Sequence, residues 1–399
     1  MPHIITKAAT RLKEKKTEWY LKLLLGIAWL LMQLWLWNSY GVKLVPDSVV
    51  RYIPYATEFA ATGTLAGGHD DRYIGYILFL ALFKKLKFGL TAAVLVQVAI
   101  SGLAVICFYN LIKSLTHHST VSPFVATLLL ITWKDVQYLN YYILTESLFT
   151  SSIIILFYLL TRARATSGYF LAMLAALLPT ALRPNGFIAL VAAVGYITAL
   201  NWKHIKRYRF ETGTAAGFLL TAILLILDKY LLSTFKLIET YARGEIIYAS
   251  NLFAVTSPEP LVIPPAHLSP LFRLAIFVAD QPAFFLELLF TKLLLFILYI
   301  KPYYSLFHNL SIILIIYPLY VFAIRYITSS RGKAPSKIFA ATLFALQAAI
   351  VALTVEDWDS RFIIPMLPLV MIMGISGLRI FIKEKLLHQH STPPPPAAP

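Results

Sequence analysis

Apolar runs too long for an ordinary water-soluble fold recur along the whole of this chain. Residues 23–37, 92–109, 153–160 and 218–227 belong to about twelve such segments. A helix that crosses a bilayer needs about 20 mostly apolar residues, because the hydrocarbon core is about 30 Å thick. Inside that core every backbone N–H and C=O must find its partner within the chain, which for these runs means helices. Composition agrees: 59% of the residues are hydrophobic and only 14% are charged. A soluble domain has about a quarter of its residues charged. The expected fold class is therefore an all-α, polytopic membrane protein with the lipid bilayer as its solvent.

The net charge is +16. On a soluble chain this would point to nucleic acid. On a membrane chain it points to basic cytoplasmic loops, and no nucleic-acid partner is expected. The single cysteine, Cys107, lies in an apolar run, so neither an internal disulfide nor a zinc spacing is available. Lys7, Arg11, Lys13, Lys15, Lys16 and Lys22 precede a first apolar segment of large residues. That segment lacks a small-residue cleavage site, so it reads as an uncleaved helix with its N-terminus in the cytoplasm. The last residues, STPPPPAAP, read as a disordered tail.

Two apolar segments are ambiguous. Residues 75–83 run into Lys84, Lys85 and Lys87, and residues 284–300 carry Lys292 near their middle. If both cross, the basic stretch 203–209 and the pair Arg162 and Arg164 fall outside, against the positive-inside rule. If both lie at the outer interface, ten crossings remain: 21–40, 91–112, 123–141, 144–161, 168–182, 186–201, 213–232, 309–326, 338–354 and 363–382. Both termini are then cytoplasmic, as in a multi-pass protein of a bacterial inner (plasma) membrane. Only Glu14, Glu18, Glu211 and Glu384 of the 19 acidic residues lie on the cytoplasmic side of this arrangement. Two long outer loops result, 41–90 and 233–308. No internal repeat is present, so an inverted-repeat transporter is not supported.

Ionisable groups near membrane depth are costly and by default functional. Four constellations qualify, and the ten-crossing arrangement puts all four on the outer side. Pro46-Asp47-Ser48 follows the first helix, with Arg51 and Tyr52 behind it; its simpler reading is a helix N-cap. Thr145-Glu146-Ser147 opens the fourth crossing behind the tyrosines Tyr138, Tyr141 and Tyr142. There Thr145 reads more simply as a cap and Glu146 as a charge at the positive helix end. Arg183-Pro184-Asn185-Gly186 joins two crossings and reads more simply as a turn with a snorkelling arginine. Residues 356–365 (EDWDSRFIIP) precede the last crossing. Their simpler reading is a solvated acidic loop, but a pre-proline stretch can also hold Arg361 where it meets a phosphate bidentately.

Taken in order, these motifs resemble the GT-C-type glycosyltransferases, the superfamily that includes protein O-mannosyltransferases and aminoarabinose transferases. The resemblance spans most of the chain. It rests on the acidic Pro46-Asp47-Ser48 after the first helix, Arg72-Tyr73-Ile74-Gly75-Tyr76 late in the first outer loop, and Leu144-Thr145-Glu146-Ser147-Leu148. Arg183-Pro184-Asn185-Gly186 and Arg361-Phe362-Ile363-Ile364-Pro365-Met366-Leu367-Pro368 complete it. The chain departs from the pattern where Ile74 or Ile77 replaces a common proline and where Asp47 stands without a paired acid. Phe362 also follows Arg361 where tyrosine is commoner.

The resemblance implies a polyprenyl-phosphate sugar donor, inversion at the anomeric carbon, and a glycan, lipid or protein acceptor. Asp47 is then the candidate general base, with Glu146 orienting the acceptor beside it. Arg361, Lys84, Lys85 and Arg72 are candidates for the leaving phosphate. Tyr52, His69, Arg183 and Tyr142 are candidates for substrate contact. A divalent metal, through Asp47, Glu146 and His69-Asp70-Asp71, stays open. On this reading residues 1–232 form a GT-C-like catalytic membrane module including outer loop 41–90. Residues 233–308 form an outer loop with an interfacial helix, 309–385 the C-terminal membrane helices, and 386–399 a disordered proline-rich tail. The rival readings are a lipid-linked oligosaccharide polymerase or ligase, a lipid or sugar transporter or flippase, and a membrane scaffold.

Overall fold

The computed structural model describes residues 2–65, 67, 72–116, 119–207, 237–247 and 253–391. Among the described residues the chain is helical, and its only β pairings are isolated bridges. The helices are α1 (Pro2–Tyr40), α2 (Ile53–Thr62), α3 (Ile74–Lys85), α4 (Gly89–Leu115), α5 (Val121–Thr132) and α6 (Lys134–Gln137). They continue as α7 (Glu146–Arg162), α8 (Thr166–Leu182), α9 (Phe187–Leu200), α10 (Trp202–Arg207) and α11 (Leu237–Ala242). Last come α12 (Pro270–Asp280), α13 (Pro282–Leu298), α14 (Leu306–Thr328), α15 (Ala334–Leu353) and α16 (Leu367–Ser391).

Five stretches are long and apolar enough to cross a membrane: Lys16–Tyr40, α4, α14, α15 and Ile364–Leu386. The bent pair α12–α13 makes a sixth if it is one broken span. Shorter apolar helices, α5, α8 and α9, accompany them. Large apolar side chains face outward, among them Leu31, Leu34, Phe170, Leu174, Leu314 and Val321, while Gln97, Gln137, Asn140, Ser147 and Ser151 are buried. A water-soluble bundle would reverse this distribution. The chain is a multi-pass helical membrane protein.

Close approach of helices uses glycine where the backbones touch. A Cβ at Gly377 would meet the Phe322 carbonyl oxygen at 1.9 Å, so α14 and α16 cross at a distance only glycine permits. The helices that carry the ends alternate in direction. Glu18 pairs with Lys113 at 2.5 Å, and Trp29 lies against Gly102. Thus α1 and α4 run antiparallel, with the end of α1 beside the start of α4.

Of the two expected interfacial segments, α3 keeps to that same end, whereas α13 only starts there: it descends beside α15, its Phe296 ring meeting Phe344 and its Leu298 carbonyl accepting from the Tyr317 hydroxyl midway along α14. α3 has 12 residues, about 18 Å at 1.5 Å per residue, too short for a bilayer. Its Tyr76 hydroxyl donates to Gln97 Oε1 at 2.9 Å, so α3 folds back on α4 through a tight turn in which Lys87 has φ 59°. α13 follows α12 at a bend of 107°. Its Phe285 ring stacks on Tyr241, whose hydroxyl donates to the carbonyl of Ala352. Lys292 Nζ donates to the Thr354 carbonyl at 2.6 Å. The first half of α13 thus lies at the end where α15 finishes, and the chain returns to begin α14 there too.

Three expectations need correction or lie elsewhere. The segment expected to cross at 123–141 is not one helix: α5 stops at Thr132, Trp133 turns extended with ψ 98° ahead of the polar pair Lys134-Asp135, and only the short turns of α6 and residues 138–141 follow. Residues 386–391, expected to begin a disordered tail, continue α16. The expected crossing 213–232 lies outside the described residues.

Candidate functional site

Chain segments far apart in sequence bring charged side chains together at the end of the bundle where α1 and α8 finish and α7 and α16 begin. After α1 the chain folds back over the bundle. Lys43 N donates to the Tyr141 carbonyl at 2.9 Å, and Ile143 N donates to the Lys43 carbonyl at 3.0 Å. Ser48 Oγ donates to the Ile143 carbonyl at 2.8 Å. These bonds fix Asp47 beside the start of α7. Glu146 is the first residue of α7 and is 2% exposed. Arg183 follows α8 in the extended conformation (φ −146°, ψ 147°) that Pro184 imposes on its predecessor. The turn closes only because residue 186 is glycine: a Cβ there would meet the Pro179 carbonyl oxygen at 1.8 Å. Arg361 follows Ser360, which takes φ 53° in the loop between α15 and α16.

The simpler capping readings are not realised, since neither Asp47 nor Thr145 makes a side-chain cap bond. The carboxylates meet guanidinium groups instead. Arg361 holds Asp357 bidentately, Nε to Oδ1 at 3.0 Å and Nη2 to Oδ2 at 2.8 Å. Its Nη1 donates to Asp47 Oδ2 at 3.1 Å and lies 3.9 Å from Glu146 Oε1. Arg51 Nη1 takes the other Asp47 oxygen at 3.3 Å. Arg183 Nη1 is 3.3 Å from Glu146 Oε1. That contact is an ion pair off the hydrogen-bond direction, and Arg183 Nε and Nη1 are buried without hydrogen-bond partners among the described residues. The Arg183 guanidinium lies over the rings of Phe149 (5.4 Å) and Phe362 (5.5 Å). Burial pushes the Asp357 carboxyl up, but the Arg361 guanidinium outweighs it, and the carboxyl sits below its ordinary range. Burial also works against the Arg361 cation, and Asp357, Glu146 and Asp47 more than reverse this.

Not every residue singled out in the sequence joins this cluster. Tyr52 does: it is buried in edge contact with Tyr73 and Tyr76, beneath Arg51, which lies over the Tyr73 ring. Arg72 is half-buried one residue before Tyr73. Lys84 and Lys85 end α3, about 16 Å along the helix from Tyr73, so the structure does not bring them to Arg361. His69, Asp70 and Asp71 lie outside the described residues. Tyr142 packs with Tyr40 and Tyr138. Among the described residues no group of three or more His, Cys, Asp or Glu is placed to hold a metal ion.

A second set of polar groups adjoins the first and was not foreseen. Asp135 Oδ2 lies 2.8 Å from His308 Nε2 and also accepts from the Tyr299 hydroxyl. Lys301 and Glu356 are both fully buried, 3.9 Å apart. Asp135 lies inside an apolar run whose hydropathy reads as one crossing. Its signal is the charged pair Lys134-Asp135 in that run. His308 sits at the start of α14, where sequence shows only a polar break. Neither protein-family models nor curated proteins give a match to this chain.

Proposed function

We propose that this chain is a GT-C-like membrane glycosyltransferase, moving a sugar from a polyprenyl-phosphate carrier to a glycan, lipid or protein acceptor on the non-cytoplasmic face. The observation that carries the reading is the meeting of Asp47, Glu146, Arg183 and Arg361, drawn from four separate segments into one ion-pair cluster. Holding such charges together at the edge of a membrane bundle is costly, and groups kept there at that cost are by default functional. The ten-crossing arrangement accompanies this reading, with the cluster outside and both termini inside. The opposite end carries Lys22, Lys113, Arg325 and Arg331, which pair there with Glu18 and Glu384.

The chemistry asked of the residues is an inverting displacement. The leaving phosphate needs no proton but does need fixed positive charge, which preorganised guanidinium groups supply without reorganisation. Arg183 and Arg361 fill that role, and Arg51 adds a third cation. Of the two carboxylates predicted to act, Asp47 is the accessible one and Glu146 the buried one. Asp47 is therefore the carboxylate of this cluster that an acceptor could reach, and Glu146 positions Arg183.

Mass spectrometry of glycans and glycolipids in cells lacking the protein tests the reading. A glycoform lost there and restored by the wild-type chain, but not by Asp47→Asn or Arg183→Met, supports it. Unchanged glycans in the deletion strain would overturn it.

A further inference from the structure

The Asp135–His308 pair lies beside the guanidinium cluster, and the donor chemistry does not use it. Its geometry is that of an oriented base. A carboxylate at 2.8 Å from Nε2 keeps the imidazole proton on that nitrogen and leaves the lone pair on Nδ1. Nδ1 has no hydrogen-bond partner among the described residues. The His308 ring stacks on Tyr304, with centroids 4.4 Å apart and planes 3° apart. Its side chain is still 28% exposed. The imidazole is thus held on one edge and one face and remains reachable.

The surroundings suit a sugar. Tyr303, Tyr304 and Trp358 cluster on one side, and Tyr40, Tyr138 and Tyr142 on the other. Partly exposed rings with polar tips offer the apolar face of a pyranose a stacking surface and its hydroxyls hydrogen bonds. The two clusters are joined, because Tyr304 donates to Ser360 Oγ at 3.1 Å and Ser360 precedes Arg361. The groups in contact with His308 are Asp135 from α6 and Tyr299 and Tyr304 from the loop before α14, while Tyr138 after α6 and Asp359 from the loop before α16 act on Asp135 behind it. Lys134 is turned away, its ammonium over the Trp35 and Tyr40 rings. Lys301 meets the neighbouring Asn309 only through its backbone oxygen.

We propose that His308, oriented by Asp135, takes the proton from the acceptor hydroxyl, and that this hydroxyl is carried by a sugar ring lying on the tyrosine rim. The inference rests on the transferase reading. It keeps the donor phosphate at the arginines and moves the base from Asp47 to His308. The acceptor proton passes to Nδ1, and the acceptor oxygen bonds to the anomeric carbon of the donor. The bond from that carbon to the phosphate oxygen breaks, its electron pair leaving on the phosphate, and the imidazolium then releases its proton to water. Asp47, with a guanidinium on each oxygen, becomes a positioning residue for Arg51 and Arg361.

Two measurements on the detergent-purified full chain test this. In the first, diethylpyrocarbonate labels histidines and mass spectrometry follows each site. His308 should react several-fold faster in the wild type than in Asp135→Asn, with exposed His267 unchanged as the control. Equal His308 rates in the two proteins would overturn the dyad. In the second, the polyprenyl-phosphate fraction of the source membranes is the donor, and their delipidated glycan fraction is the acceptor. His308→Asn should lower kcat by about 10²-fold or more, the loss expected for a general base, and should remove a limb of the pH–rate profile. His308→Asn with normal kcat and an unchanged profile would also overturn it. Wild-type protein that transfers nothing to any fraction would sink the transferase reading itself, whereas the labelling comparison judges the dyad independently.

Discussion

The guanidinium cluster and the histidine cluster share one loop and one end of the bundle, yet they are closed in opposite ways. In the first, Asp47, Glu146 and Asp357 face Arg51, Arg183 and Arg361, so positive and negative groups balance. What is left over there is donor capacity, the buried Nε and Nη1 of Arg183. In the second, Asp135 holds one side of His308 and the other side is left with a lone pair. One region has spare hydrogen-bond donors, which suit an anion. The other has a spare acceptor, which suits a proton. A transfer from a phosphate carrier to a hydroxyl needs one of each.

The largest effect is expected where a buried charge loses its partner. Arg361→Met leaves Asp357 without its bidentate partner, and breaking such a pair destabilises by about 3–5 kcal/mol. Denaturant unfolding in detergent should show this loss, together with loss of transfer. A stability change below about 1 kcal/mol would mean that the cluster is not closed as described. Arg183→Met should come next. It removes buried donors that have no hydrogen-bond partner among the described residues and should lower kcat/KM by about 10²-fold, typical of a lost preorganised donor. Arg183→Lys should recover only part, because a lysine cannot reproduce the flat contact over Phe149 and Phe362.

A smaller effect should follow pH through two neighbouring carboxyls of opposite sign. Burial pushes Glu356 up to about 7 from its ordinary 4.5, against the opposing pull of Lys301. The folded state therefore binds this proton more tightly. The contribution to stability is complete below about pH 4.5 and is lost as pH rises through about 7. Asp357 sits below its ordinary 3.8, so its contribution is complete above that value and is lost as pH falls through the lowered one. Hydrogen exchange in residues 354–363, taken relative to the intrinsic rate at each pH, should accordingly be slowest near pH 5 and faster at pH 8. Glu356→Gln should flatten the rise toward pH 8. The smallest effect belongs to Lys84→Ala and Lys85→Ala. They lie at the tip of the α3–α4 hairpin, and each should change stability by less than about 0.5 kcal/mol and leave transfer unchanged. A large loss of transfer would return the lysines to the site and break the comparison.

Sequence reading reached the guanidinium cluster more fully than the histidine cluster, for a physical reason. Asp47, Glu146, Arg183 and Arg361 stand at the ends of long apolar runs, where a charge is conspicuous and its side of the membrane follows from counting crossings. The structure added which charges touch, above all Asp357 as the bidentate partner of Arg361. Asp135 and His308 were illegible because hydropathy averaging smooths a short polar break into its neighbours. A helix stopping at Thr132 and a helix passing through Tyr141 give nearly the same apolar profile. Likewise α13 has the composition of a crossing. Only its contacts with Ala352 and Thr354 through Tyr241 and Lys292 reveal that it begins at the site end. Lys84 and Lys85 misled in the other direction, since a lysine cluster in an outer loop says nothing about where the helix axis carries it.

Farnesyl phosphate, a short soluble polyprenyl phosphate, allows the division of labour between the two clusters to be measured without knowing the sugar. Its binding to the purified chain should weaken about tenfold or more in Arg183→Met, the loss of about 1.4 kcal/mol of charge-assisted hydrogen bonding. It should remain at the wild-type value in His308→Asn. Equal affinity in all three proteins, or loss in His308→Asn alone, would contradict the assignment of the anion to the guanidinium cluster.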